Sequence, residues 1–155
     1  MKLLKILLVC TGNTCRSPLA EALLKHELND KELGYELQVS SAGLAVYAGE
    51  RISEKVVMLL HEEQIEHDAQ RNAIQLDQAL IQDADLILTM TADQLQQVML
   101  RFPESSSRVY LLTGYSGLSP ADIKDPYGGS PEKYRQTMEE IRLALKNLIT
   151  KLEEG

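Results

Sequence analysis

The chain has 155 residues, 44% of them hydrophobic and 25% charged, which suits one globular domain over residues 1–155 and excludes disordered, collagen-like and coiled-coil classes. Sixteen Lys and Arg against 23 Asp and Glu give a net charge of −7 with no basic cluster, so a general nucleic-acid binder is excluded, because that affinity rests on clustered cations neutralising phosphates. Two cysteines and three histidines without ligand spacing exclude a disulfide scaffold and a zinc centre, so neither metal nor cofactor is expected.

In chain order, the apolar run after Lys5 is too short for the core of a signal peptide, and nothing reaches the roughly 18 apolar residues of a membrane-spanning helix. A cytoplasmic protein with reduced thiols and no membrane partner is expected. Residues 6–9 form a continuous apolar run, the signature of a strand buried on both faces. Ser17-Pro18 then supplies an N-cap and a first-turn proline for a helix over residues 17–28. Residues 36–40 read as a second strand ending at Ala42-Gly43, followed by helical spacing of Ile52, Val56, Leu59 and Leu60.

A short helix over residues 76–81 leads into a third strand over 86–88, and Leu95, Val98 and Met99 mark another helix. Residues 109–112 are the fourth strand, residues 115–129 a loop, and Ser130-Pro131 repeats the cap signal. The last helix carries Tyr134, Met138, Ile141, Leu145, Leu148 and Leu152 as one stripe, read as packing on the sheet of a monomer and not as a dimer seam. Strands alternating with helices predict an α/β fold: three layers, with a four-stranded parallel sheet covered by helices on both faces. Ligands bind at the carboxyl ends of such strands, which places the turn after the first strand and the loop after the last on one rim.

That first turn reads Cys10-Thr11-Gly12-Asn13-Thr14-Cys15-Arg16-Ser17. It matches neither nucleotide-binding glycine motif. Five residues between a cysteine and an arginine can curl so that their backbone N–H groups converge at a helix N-terminus, a cradle for a phosphoryl dianion. Gly12 and Asn13 suit the positive-φ conformations this requires. Arg16 can close the ring on two phosphoryl oxygens, and the same field favours the Cys10 thiolate, the nucleophilic form. Phosphate binding is thus assigned to Thr11, Gly12, Asn13, Thr14, Cys15 and Arg16. Ser17 can cap the helix, hydrogen-bond the sulfur, or both. The acid that protonates the leaving atom must come from a downstream loop on the same rim, and Asp125, in Asp125-Pro126-Tyr127-Gly128-Gly129, is the candidate.

Together with Ser41-Ala42-Gly43 and residues 84–90, these segments resemble the low-molecular-weight protein-tyrosine phosphatase family over most of the chain. The resemblance implies a flavodoxin-like fold and phosphorylated protein substrates. It also implies a phosphocysteine on Cys10, Asp125 as acid and then base, Asn13 and Ser41 as braces of the loop, and Tyr127 on the pocket wall. It further implies a reversible disulfide between Cys10 and Cys15 that protects the nucleophile from irreversible oxidation. The histidine that braces the loop in relatives has no secure counterpart, with His67 and Gln70 both alignable. Thr14 stands where tyrosine-directed members carry a branched apolar residue, and resembles the bacterial protein-arginine phosphatase branch. Gly128 replaces the second aromatic of eukaryotic-type members, which points the same way, while Tyr47 is either an opposite wall or an exposed loop tyrosine.

A protein phosphatase preferring phosphoarginine is therefore expected, with a protein-tyrosine phosphatase as the alternative. A thiol-coupled arsenate reductase would need further downstream cysteines, and none follows Cys15. An inactive phosphate-binding module is disfavoured by the joint presence of Cys10, Arg16 and Asp125.

Overall fold

The apolar N-terminal run becomes the interior strand β1 (Lys2–Cys10) in the computed structural model, which describes residues 2–154. β2 (Tyr35–Gly43) and β3 (Leu86–Thr89) pair with it in parallel on either side, and β4 (Val109–Leu111) extends the sheet beyond β3, giving the order β2-β1-β3-β4. Side chains of a strand alternate between faces, so Ile6, Leu8 and Cys10 enter one core while Leu7 and Val9 enter the other. This is why the run is continuously apolar and not alternating.

The larger core lies under α1 (Arg16–Leu28), α2 (Glu54–Glu62) and α6 (Pro131–Glu154), the smaller under α3 (Gln78–Asp83) and α4 (Ala92–Arg101). The six apolar residues of the terminal stripe are all buried, and α6 packs on α1 and α2. The four-stranded parallel sheet with helices on both faces is thus the architecture that the alternation predicted.

Two boundaries differ in ways that matter for the site. α1 starts at Arg16, with Cys15 at the N-cap position and no side-chain cap bond. Ser17 is therefore inside the first turn and not the cap, and Pro18 is not the first helical residue. The Leu19 N–H already bonds the Cys15 carbonyl at 3.0 Å, so the helix begins as soon as the preceding turn closes. At the other end of the sheet Leu112 leaves β4 for the one-turn α5 (Leu112–Tyr115). The second Ser-Pro pair behaves as read: Pro131 opens α6, and Ser130 Oγ accepts the Lys133 N–H at 3.3 Å. None of the helices among the described residues is long and apolar enough to cross a membrane.

Candidate active site

The carboxyl end of β1 delivers Cys10, 2% exposed, into the turn that leads to α1. Its sulfur lies 2.9 Å from Ser17 Oγ and accepts the Asn13 backbone N–H at 3.3 Å. Within this turn only Asn13 takes positive φ, at 55°; Gly12 does not, contrary to the expectation for the pair. Asn tolerates the left-handed region because its short amide can bond locally, and here that amide is fully used.

β2 supports the turn from the side. Gly43 pairs with Cys10, the Leu44 N–H bonds the Cys10 carbonyl at 3.0 Å, and the Ala45 N–H bonds the Thr11 carbonyl at 2.9 Å. A Cβ on Gly43 would sit 2.7 Å from the Thr11 carbonyl oxygen and 2.9 Å from the Asn13 nitrogen. Only glycine lets β2 run this close. The sequence marked Gly43 as part of a motif, but the clash that forbids a side chain is visible only in three dimensions.

The buried Asn13 side chain donates through Nδ2 to Ser17 Oγ at 2.8 Å and Ser41 Oγ at 3.1 Å. Its Oδ1 accepts the Ile74 N–H at 2.8 Å and Arg71 Nη1 at 3.1 Å. Arg71 Nη2 donates to Ser41 Oγ at 2.8 Å and stands 3.4 Å from Glu21 Oε1, which also accepts the Ser41 hydroxyl at 2.6 Å. Of the two residues alignable with the bracing histidine of relatives, neither is bonded to the turn: His67 Nδ1 is 2.8 Å from the Ile65 carbonyl, and Gln70 Oε1 accepts Arg51. The brace is Arg71. The sequence offered no clear signal for it: Glu21, one turn after Ser17 on the same helix face, already has Lys25 four residues on as a cationic partner at 2.7 Å.

A second unforeseen residue is the buried Gln94. It closes the capping box of α4 with Thr91, accepts the Met90 and Thr91 N–H groups at 3.0 and 3.1 Å, and donates to Thr11 Oγ1 at 3.1 Å. Thr14 is half-buried, and its carbonyl accepts the Ser53 N–H at 2.9 Å. Cys15 is buried behind the turn with its sulfur 4.0 Å from the Tyr134 hydroxyl; burial pushes its thiol up, and the same cause raises the Tyr134 phenol. Both cysteines are free.

Arg16, 6% exposed, donates through Nη1 to the Ile123 carbonyl at 3.0 Å and holds Nη2 3.8 Å from Asp125 Oδ2. The Asp125 side chain is 52% exposed, with Oδ1 accepting the Tyr127 N–H at 3.1 Å in an Asx-type turn. The structure thus brings Cys10, Asn13, Ser17 and Ser41 together and sets Asp125 across from Arg16. Tyr127 and Tyr47 are both exposed, at 81% and 79%.

A parallel α/β sheet whose first strand hands a buried cysteine to a turn at a helix N-terminus, with a buried arginine at the start of that helix paired to a loop carboxylate, fits a class of cysteine-dependent phosphatases. The chain belongs to the low molecular weight phosphotyrosine protein phosphatase family, whose model matches residues 5–155. It is 37% identical over 149 residues to the protein-arginine-phosphatase of Geobacillus stearothermophilus, covering 96% of each chain. It is 36% identical over 138 residues to the low molecular weight protein-tyrosine-phosphatase PtpB of Staphylococcus epidermidis, covering 89% of this chain and 91% of that one. Among solved structures, a mutant YwlE arginine phosphatase with a phosphorylated active-site serine superposes with a TM-score of 0.90 at 34% identity, covering 98% of this chain and 97% of that one.

Proposed function

We propose that this protein is a protein phosphatase that works through a phosphocysteine and prefers phosphoarginine to phosphotyrosine. The observation that carries the reading is the Cys10 sulfur, which faces Ser17 Oγ at 2.9 Å and the Asn13 N–H at 3.3 Å inside the turn closed by Arg16. A sulfur held among donors is prepared to be anionic, both as attacking nucleophile and as leaving group.

The Cys10 thiolate attacks phosphorus while the N–H groups of residues 11–16 and the Arg16 guanidinium take up the charge on the phosphoryl oxygens. The bond from phosphorus to the guanidine nitrogen breaks as Asp125 gives that nitrogen a proton. Asp125 then accepts a proton from the water that attacks the phosphocysteine, releasing phosphate and the thiolate. Its half-exposed carboxyl beside Arg16 can reach both partners. Asn13 and Ser41 hold the turn, and the disulfide between Cys10 and Cys15 belongs to the same proposal, with both thiols free to form it.

Three features favour arginine. The half-buried Thr14 carries a hydroxyl, 3.8 Å from Cys15 Sγ in this structure, that can turn to satisfy a polar guanidine edge, which an isoleucine would leave unpaired. Gly128, at φ 78°, follows Tyr127 where a second aromatic would build a slot for a phenol ring. Two relatives covering 96% of this chain are protein-arginine-phosphatases. Tyrosine remains the second reading because PtpB proteins are nearly as similar. Arsenate reduction is disfavoured, since no cysteine follows Cys15.

The test compares kcat/KM on phosphoarginine and phosphotyrosine peptides for the parent and Thr14→Ile. The parent is expected to favour phosphoarginine, and the variant to lose or reverse that preference by about tenfold, the range set by one unpaired polar group. Equal ratios in the two proteins would remove Thr14 as the discriminator.

A further inference from the structure

The hydrogen bond between Cys10 Sγ and Ser17 Oγ, at 2.9 Å, can in principle run in either direction. The groups around it allow one direction. Asn13 Oδ1 faces two donors, the Ile74 N–H at 2.8 Å and Arg71 Nη1 at 3.1 Å. Flipping that amide would set donor against donor in a buried site, at about 1–3 kcal/mol for each group left unpaired. Nδ2 must therefore point the other way, where it donates to Ser17 Oγ at 2.8 Å and Ser41 Oγ at 3.1 Å.

Ser41 is then fully committed. It accepts from Asn13 and from Arg71 Nη2 and donates its own proton to Glu21 Oε1 at 2.6 Å. Ser17 is fully buried, and among the described residues its hydroxyl oxygen has two polar partners, the Asn13 amide and the Cys10 sulfur. Asn13 is a donor, so the Ser17 proton has one place to go.

We propose that Arg71 is a positioning residue that sets the direction of the Ser17–Cys10 hydrogen bond: by holding Asn13 Oδ1 and Ser41 Oγ together, it forces the Ser17 hydroxyl to donate to the sulfur. Arg71 touches neither the sulfur nor any atom assigned to substrate, and acts through Asn13. A guanidinium suits this task because its planar fork reaches two acceptors at once and keeps its charge across the working pH range. Glu21 offsets that charge from the far side, 3.4 Å away, so removing Arg71 leaves Oδ1 with one backbone donor and leaves Glu21 with Lys25 and Ser41 as partners. The inference rests on the phosphatase reading for its functional consequence, but its chemistry is read at the sulfur itself.

The experiment measures alkylation of Cys10 by iodoacetamide at pH 6, located by peptide mass, in the parent, Arg71→Met, Ser17→Ala and the double variant, together with kcat and KM on a phosphopeptide. Alkylation follows the thiolate and needs no substrate, so it stays informative if the phosphatase reading fails, a failure that full turnover by Cys10→Ser would reveal separately. Arg71→Met is expected to slow alkylation and kcat about tenfold, the effect of one charged hydrogen bond, with KM changed less than about threefold. In the Ser17→Ala background the same substitution is expected to change alkylation less than about twofold, since the relay has lost its last member. An equal loss with and without Ser17 would show a through-space charge effect and overturn the proposal, as would unchanged alkylation in Arg71→Met. If Arg71→Met does not fold, Arg71→Lys, which keeps a cation beside Glu21, is measured in both backgrounds. A loss that requires Ser17 supports the relay; a loss equal in both, or none in either, overturns it.

Discussion

Between Cys10 and Ser17, the side chains of Asn13 and Ser17 are buried and bonded to each other, and Asn13 is also bonded to partners on two other segments: Ser41 in β2, and Arg71 with the Ile74 backbone in the loop after α2. Across the site, the stretch carrying Asp125 is anchored on either side of that residue, by the buried Ile123, whose N–H bonds the Met90 carbonyl at 2.8 Å and whose carbonyl accepts Arg16, by Asp122 accepting the Ala92 N–H at 2.8 Å, and by the Gly129 carbonyl accepting Lys55 at 2.9 Å. Asp125 itself is half-exposed, and Tyr127 beside it is open to solvent. In the proposed mechanism the first region binds an invariant group, a phosphoryl dianion, and gains from being set in advance. On the same reading the second must meet leaving groups of differing shape and admit water for the second step, so an exposed carboxyl suits it.

The contrast can be broken first at the acid. Asp125→Asn should slow a phosphopeptide with a poor leaving group by about 100-fold or more, as expected for loss of a positioned proton donor. An activated aryl phosphate, which leaves without a proton, should lose far less; equal losses on the two substrates would take Asp125 out of that role. A smaller effect is expected in the pre-set half. Gly43→Ala pushes a methyl group against the Thr11 carbonyl and the Asn13 nitrogen, and should destabilise the fold by about 1–3 kcal/mol, the usual consequence of overpacking. Thermal unfolding checks this, and an unchanged Tm would mean that β2 and the turn can part without loss. The smallest effect sharpens the other half: Tyr127→Ala should leave stability within about 0.5 kcal/mol, as for an exposed side chain. A larger loss in a denaturant titration would show that this loop is packed after all.

The same contrast governs what could be read from the sequence. β1 was legible because a strand buried on both faces must be apolar throughout, and the turn was legible because its parts are contiguous from Cys10 to Ser17. Asp125 followed from topology, since parallel strands place their trailing loops on one rim. Arg71 was not legible: it meets Asn13 across 58 positions, through contacts that exist only once β2 has docked on β1. Gln94 was hidden for the same reason, its capping role being local and its bond to Thr11 not. Ser17 was placed correctly as a partner of the sulfur but wrongly as the cap, because the turn closes two residues earlier than the Ser-Pro signal indicates, with Cys15 at the N-cap position.

The nucleophile is the claim on which the other roles depend. A single-turnover reaction of the parent protein with a phosphoarginine peptide, stopped within milliseconds and mapped by mass spectrometry, tests it most directly. Phosphate carried on the peptide that contains Cys10 is the predicted result; phosphate on a different residue, or turnover with no phosphorylated protein at any time, would contradict it.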